Sequence, residues 1–264
     1  PPTPPRKCRR PIAIPALIEI DSDGHRSGLT ANDPALISVA RILQEGGAEL
    51  RGVLCHAGGS YASVGRDAHA KCAEQERLAV VDAAAVLRNA GLPCPVTSVG
   101  STPTAHAATD LTGVTELRAG VFVFFDLFQT GIGVCQIDDI ALSVLTTVIG
   151  HQSDRGWTIC DAGWMAMSRD RGTANQQVDQ GYGIVCDAAG QVIPGLIVEQ
   201  ANQEHGVIAR QSGFDGEIPE FPVGTLLRIL PNHACATAAQ HQHYNVIPDT
   251  ADASLLRWSR FGGW

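Results

Sequence analysis

Lysine is nearly absent. Of the 19 basic residues only Lys7 and Lys71 are lysines, so a mechanism that needs an amine nucleophile has two candidates. No apolar run approaches the roughly 18 residues that a membrane-spanning helix requires. The proline- and arginine-rich amino terminus has no apolar secretory core behind it, so the expected setting is the cytoplasm, with no membrane partner. Positive charge is in deficit: 27 acidic against 19 basic residues leave a formal charge of −8 over 264 residues. Nucleic-acid binding depends on cations meeting phosphates and is not expected of such a chain. Eight cysteines occur without a CxxC pair, which argues against a disulfide framework and for reduced, mostly buried thiols.

The remainder is ordinary globular material, 44% apolar and 17% charged, with a mean hydropathy of +0.03. Residues 1–11, PPTPPRKCRRP, hold too much proline for helix or strand and too little apolar surface to bury. They are expected to be a disordered lead. From residue 12 strands and helices alternate. IAIPALIEI is β-rich, and a helix follows in DPALISVARILQEGG, with Asp33 as cap, Pro34 in the first turn, apolar positions at Leu36, Val39, Ala40 and Leu43, and a stop at Gly46 or Gly47. LRGVLCH predicts the next strand, residues 67–89 a long Ala-rich helix stopped at Gly91, and PVTSVG and VFVFF two more strands. Beyond residue 130 seven short β-like runs, from ALSVLTTVI to YNVI, come without any long amphipathic helix. The predicted organisation is an α/β part over 12–130 followed by an antiparallel β domain over 131–264.

Several polar clusters sit where chemistry is placed in such folds. In LPNHACAT, His233 and Cys235 follow a predicted strand, where a borderline nitrogen and a soft sulfur two residues apart suit zinc. A buried cysteine beside a hydrogen-bonded histidine accounts for the same pattern equally well. His241 and His243 are candidates for a third ligand, or simply lie on an exposed strand face. The loop SVGSTPT follows a predicted strand, and its Gly100, Ser101 and Thr102 can offer backbone N–H groups and hydroxyls to a phosphate. The same residues also read as a plain strand-to-helix turn with a capping hydroxyl. His56 and Tyr61 in CHAGGSY lie at the carboxyl end of a strand, and Arg26 in EIDSDGHRSG can pair with an anion. Asp161, Glu204 and His205 interrupt the β half and read equally as structural hydrogen-bonding groups.

Taken in order, EIDSDGHRSG, CHAGGSY, SVGSTPT, ELRAGVFVFFD, DAGWMAMSRDRGT, NQEHG and LPNHACAT resemble the D-serine dehydratase and D-threonine aldolase family, which has the alanine-racemase type of pyridoxal-phosphate fold. The resemblance covers nearly all of residues 12–264. It implies the carboxyl-terminal half of an α/β (TIM-type) barrel followed by the β domain. It also implies pyridoxal 5′-phosphate as cofactor, with Arg26, His56 and Tyr61 around its ring. Gly100, Ser101 and Thr102, with the backbone of Gly120, Val121 and Phe122, would cradle its phosphate. His233 and Cys235 would be the metal pair, a small D-amino acid the substrate, and a homodimer the longer form.

Two departures from that family stand out. Its cofactor-bearing lysine lies on an early barrel strand, before the EID motif, and neither Lys7 nor Lys71 occupies such a place, so this chain by itself is expected to be inactive. A non-catalytic metal-binding remnant is an alternative on the same ground. Phe122 and Phe124 also stand where tyrosine is common in the family. Within the resemblance a His/Cys pair points to Zn²⁺ and to elimination from D-serine or 3-hydroxy-D-aspartate. A D-threonine aldolase with a hard-ligand Mn²⁺ or Mg²⁺ site is the alternative.

Overall fold

The computed structural model describes residues 13–25, 27–248 and 254–262. Arg26, Lys7 and the proline-rich lead therefore lie outside the described residues. The chain divides into two compact units, 1–120 and 121–264, ten residues before the change in sequence texture.

The first unit contains β1 (Pro15–Ile20), α1 (Ala35–Glu45), β2 (Glu49–Cys55), α2 (Arg66–Asn89), β3 (Val96–Val99), α3 (Thr102–Ala107) and β4 (Glu116–Leu117). Its four strands form one sheet in the order β1-β2-β3-β4, parallel throughout. Helix α1 starts where the sequence predicts: the Asp33 carboxylate accepts the Ala35 N–H at 2.8 Å, and Pro34 already has helical dihedrals. Gly47 and Gly91, both with positive φ, follow the ends of α1 and α2. Alternation along the strands sends Ile18, Ile20, Val53, Cys55 and Val99 into one core with Leu36 and Ala40 of α1 and Val80, Ala83, Ala84 and Leu87 of α2.

The expected strand at VFVFF is a helical turn over Val121–Val123 instead, and the fourth strand is the two-residue β4 upstream of it. Phe125 takes a positive φ of 50°, and the N–H groups of Phe124 and Phe125 both turn back to the Val121 carbonyl. A β-prone run is thus overridden by its local chain reversal.

The second unit contains α4 (Leu127–Gly131), β5 (Val144–Gln152), β6 (Trp157–Cys160), α5 (Trp164–Met167), β7 (Gly183–Asp187), β8 (Val192–Ala201), β9 (Gly206–Arg210), β10 (Leu226–Pro231), α6 (Ala234–Ala238), β11 (His243–Val246) and β12 (Leu256–Ser259). All seven expected β runs are strands. Six of them close into an antiparallel barrel in the order β10-β5-β6-β9-β8-β7, and β11 pairs with β12 in a separate hairpin. Val144, Val148, Cys160, Val185, Val198, Ile208, Leu227 and Ile229 fill the barrel core. Among the described residues, no helix is long and apolar enough to cross a membrane.

Candidate functional site

Within the first unit the structure brings most of the expected cofactor residues together. His56 follows β2, and its Nδ1–H donates to the Gly100 carbonyl at 3.0 Å. Tyr61 lies on the turn Gly58–Ala62, with its ring centroid 6.0 Å from that of His56. The Ser60 and Ser101 hydroxyls meet at 3.1 Å, joining the same turn to the loop that follows β3. Ser101 caps α3 and forms a capping box with Thr104, accepting the Thr104 N–H while its own N–H donates to Thr104 Oγ1 at 3.0 Å. The hydroxyl of Ser101 is thereby committed within the protein. Thr102 differs: its Oγ1 is buried and has no hydrogen-bond partner, and an unmatched buried hydroxyl is what a polar ligand would satisfy. Gly120 closes this unit, with nothing within 4 Å of where a Cβ would stand. Val121 opens the second unit in the turn described above.

Gly100 has a separate reason to be glycine. Its φ is +141°, and a Cβ would stand 1.9 Å from the Arg118 carbonyl oxygen. Gly100→Ala is expected to cost about 3 kcal/mol or more from strain and overlap together, measured as a fall in the urea midpoint.

The group that binds these segments together is one the sequence reading passed over. Glu76, on α2, is 1% exposed. Its Oε1 accepts the N–H groups of Ala57 and Gly100, both at 3.0 Å, and its Oε2 accepts the Thr104 hydroxyl at 2.8 Å. A sequence signal did exist: His69, Ala73, Glu76, Val80, Ala83 and Leu87 are all buried along α2 at alternating steps of four and three, so this carboxylate sits on the apolar stripe. Nearby, Arg118 donates to the Ser98 hydroxyl at 2.8 Å and to the Cys55 carbonyl. Burial pushes the Cys55 thiol up to about 11, which leaves it an inert core group.

The metal candidates lie in the second unit. They stand just beyond a strand end, as expected, but on the start of a helix: β10 stops at Pro231, His233 is the residue before α6, and Cys235 is in its first turn. Pro231 and Asn232 produce the break, and Asn232 anchors it. Its amide donates to the Gly181 and Asp170 carbonyls at 2.6 and 3.2 Å, and its carbonyl accepts the Thr173 hydroxyl at 2.9 Å. The buried Asp126 accepts the Gln129 N–H at 2.9 Å and the Ala234 N–H at 2.8 Å, holding the start of α6; burial pushes its carboxyl above the usual range.

His233 Nδ1–H donates to Asp170 Oδ2 at 2.6 Å. That carboxylate, then the neighbouring Cys235 thiol, pushes the imidazole up to about 10, while His233 holds Asp170 below its ordinary range. With Nδ1 committed to Asp170, Nε2 is the ring nitrogen left to share with Cys235 or an ion. Cys235 is the exposed cysteine among seven described free ones. Asp170 lies just beyond Ser168, a buried residue held at φ +82°. It is 63 residues from His233, so no spacing in the sequence announced it.

Three of the other candidates have structural partners. His241 Nε2–H donates to the Ala166 carbonyl, His243 lies 2.9 Å from Arg257, and Asp161 accepts the Thr146 hydroxyl and the Thr147 N–H. Among the described residues no group of three or more His, Cys, Asp and Glu gathers as a closed metal site.

Residues 6–127 match the alanine racemase N-terminal domain family, and residues 141–247 match the putative serine dehydratase domain family. D-threo-3-hydroxyaspartate dehydratase of Delftia sp. (strain HT23) is 59% identical over 255 residues, 96% of this chain and 67% of that one. The chain belongs to the D-serine and D-threo-3-hydroxyaspartate dehydratase family. The solved Delftia structure superposes on this dehydratase-family chain with a TM-score of 0.90 at 58% identity, over 96% of this chain and 67% of that one. Its solved variants include a histidine-to-alanine form and a metal-free cysteine-to-alanine form, substituted two positions apart. D-serine dehydratase of Schizosaccharomyces pombe is 30% identical over 268 residues, 94% of this chain and 60% of that one. Alanine racemase of Clostridium difficile 630 shares the fold at 16% identity, with a TM-score of 0.51 over 86% of this chain and 56% of that one. This dehydratase-family chain thus spans about two thirds or less of these relatives.

Proposed function

We propose that this chain carries the phosphate loop and the metal pair of a dehydratase. The reaction would remove the Cα proton and the β-hydroxyl of a D-3-hydroxyamino acid, such as D-serine or 3-hydroxy-D-aspartate, as water. The observation that carries the proposal is the His233–Asp170 pair, with Cys235 one helical step on. The two-residue spacing of His233 and Cys235 equals that of the substituted histidine and cysteine in the Delftia variants. The ordered parallel sheet, with its core helices on one face, fits half of a barrel of the TIM type. A homodimeric, cytoplasmic longer form belongs to the same proposal.

Bound pyridoxal phosphate would supply an electron sink for the Cα–H electrons, and bound Zn²⁺ a Lewis acid for the departing hydroxyl. The residues present fit both groups. His233 Nε2 and Cys235 Sγ are a borderline and a soft donor, a set that suits zinc and suits the Mn²⁺ or Mg²⁺ of an aldolase poorly. Asp170 holds the proton on Nδ1 and would so leave Nε2 as the nitrogen that takes the ion. His56 and Tyr61 would flank the pyridoxal ring. The unmatched Thr102 hydroxyl and the open backbone at Gly120 would receive the phosphate.

The test is purification with both cofactors of the longer form that contains this chain, followed by assay for 2-oxo acid and ammonia from D-serine and 3-hydroxy-D-aspartate. Cleavage of D-threonine to glycine and acetaldehyde in place of elimination would favour the aldolase. A second expectation concerns the 264-residue chain by itself. Among the described residues Lys71 is the one lysine, and it stands exposed on α2, outside the enclosed apolar pocket that holds an amine nucleophile. Incubation with pyridoxal phosphate and reduction with borohydride should therefore give no stoichiometric adduct at Lys71 by peptide mass mapping. A specific adduct there accompanied by turnover would show that the amine chemistry has been relocated.

A further inference from the structure

We propose that Glu76 is a positioning residue for the cofactor's phosphate: its carboxylate locks the His56 turn to the 100–104 loop and consumes the Gly100 amide, leaving the Thr102 hydroxyl as the donor turned over to the ligand. This inference rests on the phosphate-loop assignment above and deepens it.

Three donors from two separate segments converge on this one side chain. The Ala57 N–H belongs to the residue after His56, the Gly100 N–H to the loop after β3, and the Thr104 hydroxyl to the capping box of α3. Gly100 is held on both sides of its backbone, its N–H by Glu76 and its carbonyl by His56 Nδ1. Ser101 and Thr104 satisfy each other. Within the loop the partnering then runs out at a single buried hydroxyl, Thr102 Oγ1. A carboxylate can accept all three bonds, whereas the amide of glutamine has one acceptor oxygen and would turn N–H groups toward donors. An anion buried beside a phosphate loop is electrostatically unfavourable for a dianion. Its place here is explained by geometry, because it determines which donors stay free.

The experiment compares calorimetric titrations of the 264-residue chain with pyridoxal phosphate and with pyridoxal, which lacks the phosphate. The unmodified chain should bind the phosphorylated form at least about tenfold more tightly. Glu76→Gln should weaken pyridoxal phosphate by about 10- to 100-fold, as loss of a supporting hydrogen-bond partner does, and pyridoxal, which would sense only the loosened His56 turn, at least about fivefold less. Thr104→Val retains the carboxylate and removes one donor, so it should show the same selective loss on a smaller scale. It decides the matter if Glu76→Gln does not fold. Equal losses for both compounds would reduce Glu76 to a purely structural group. Unchanged or tighter binding of pyridoxal phosphate would show that its charge matters more than its positioning, and either result overturns the proposal. If the unmodified chain does not prefer the phosphorylated form, the loop assignment itself fails, and the role of Glu76 falls with it.

Discussion

Replacing Cys235 by alanine is expected to take the zinc content of the protein from one ion per chain to none detectable by metal analysis after dialysis. Among the described residues, His233 and Cys235 are the two side chains that the proposal assigns to the ion, and the thiolate is the softer and more charge-neutralising of the two. Removing it leaves a lone imidazole, which does not retain Zn²⁺ against dialysis. The fold should not suffer. Cys235 is exposed, and α6 is held from behind by Asp126 and Asn232 rather than by the thiol. The unfolding free energy should therefore move by no more than about 0.5 kcal/mol. Zinc content unchanged in the Cys235→Ala protein would remove the pair from consideration as the metal site. Selective loss of zinc with elimination abolished and cofactor absorbance intact would assign it to the reaction.

The second large effect is on pH. In the metal-free protein the His233 imidazole is pushed up to about 10, first by Asp170 and then by Cys235, so at neutral pH it carries both protons. Binding a metal at Nε2 expels one of them. Apparent zinc affinity should thus rise about tenfold per pH unit through this group between its ordinary value and about 10. Across three units that is about a thousandfold, measurable by competition with a chromophoric chelator. Asp170→Asn should narrow the window by returning the imidazole toward its ordinary value. At high pH, where protons no longer compete, it should bind zinc about 10- to 100-fold less tightly than the parent. The metal-free fold responds with the opposite sign. A raised histidine contributes stability that is complete below its ordinary value and is lost as pH rises through about 10. The lowered Asp170 contributes stability that is lost as pH falls through its own range. Both side chains are partly exposed, 44% and 31%, so water screens much of this contribution.

Much of the fold was legible because it is local. Helix α1 is written in Asp33, Pro34 and Gly47, and the β domain in seven short runs bounded by turn residues, six of which make the barrel. The misreading at residues 121–125 has a physical cause: a β-prone apolar run was bent into a turn by chain reversal, and propensity has no term for that. The proposed site was legible by composition more than by geometry. His233 and Cys235 could be named from ligand chemistry, but their placement on a helix start depends on Asn232 and Asp126, whose partners are remote in sequence. Ser101 took the plain capping role weighed for it, while Thr102 beside it did not. Asp170 was beyond reach from spacing. Glu76 was within reach, since an acid on the buried stripe of a long helix has to meet several donors to remain there.

The closed barrel of the second unit has a consequence for the lifetimes of its amide protons. With β10 bonded to both β5 and β7, each of the six strands has a neighbour on either side, and local fraying cannot peel one away. Exchange with solvent deuterium along β5–β10 should follow large cooperative openings. The two-residue β4, at one side of the parallel sheet, should exchange through small local ones. The segment leading into His233 continues directly from β10, so the proposed metal pair should be tethered to the slowest-exchanging frame of its unit. The loop over 100–104, proposed to hold the cofactor's phosphate, depends on the Glu76 clasp in a frame that should open more readily.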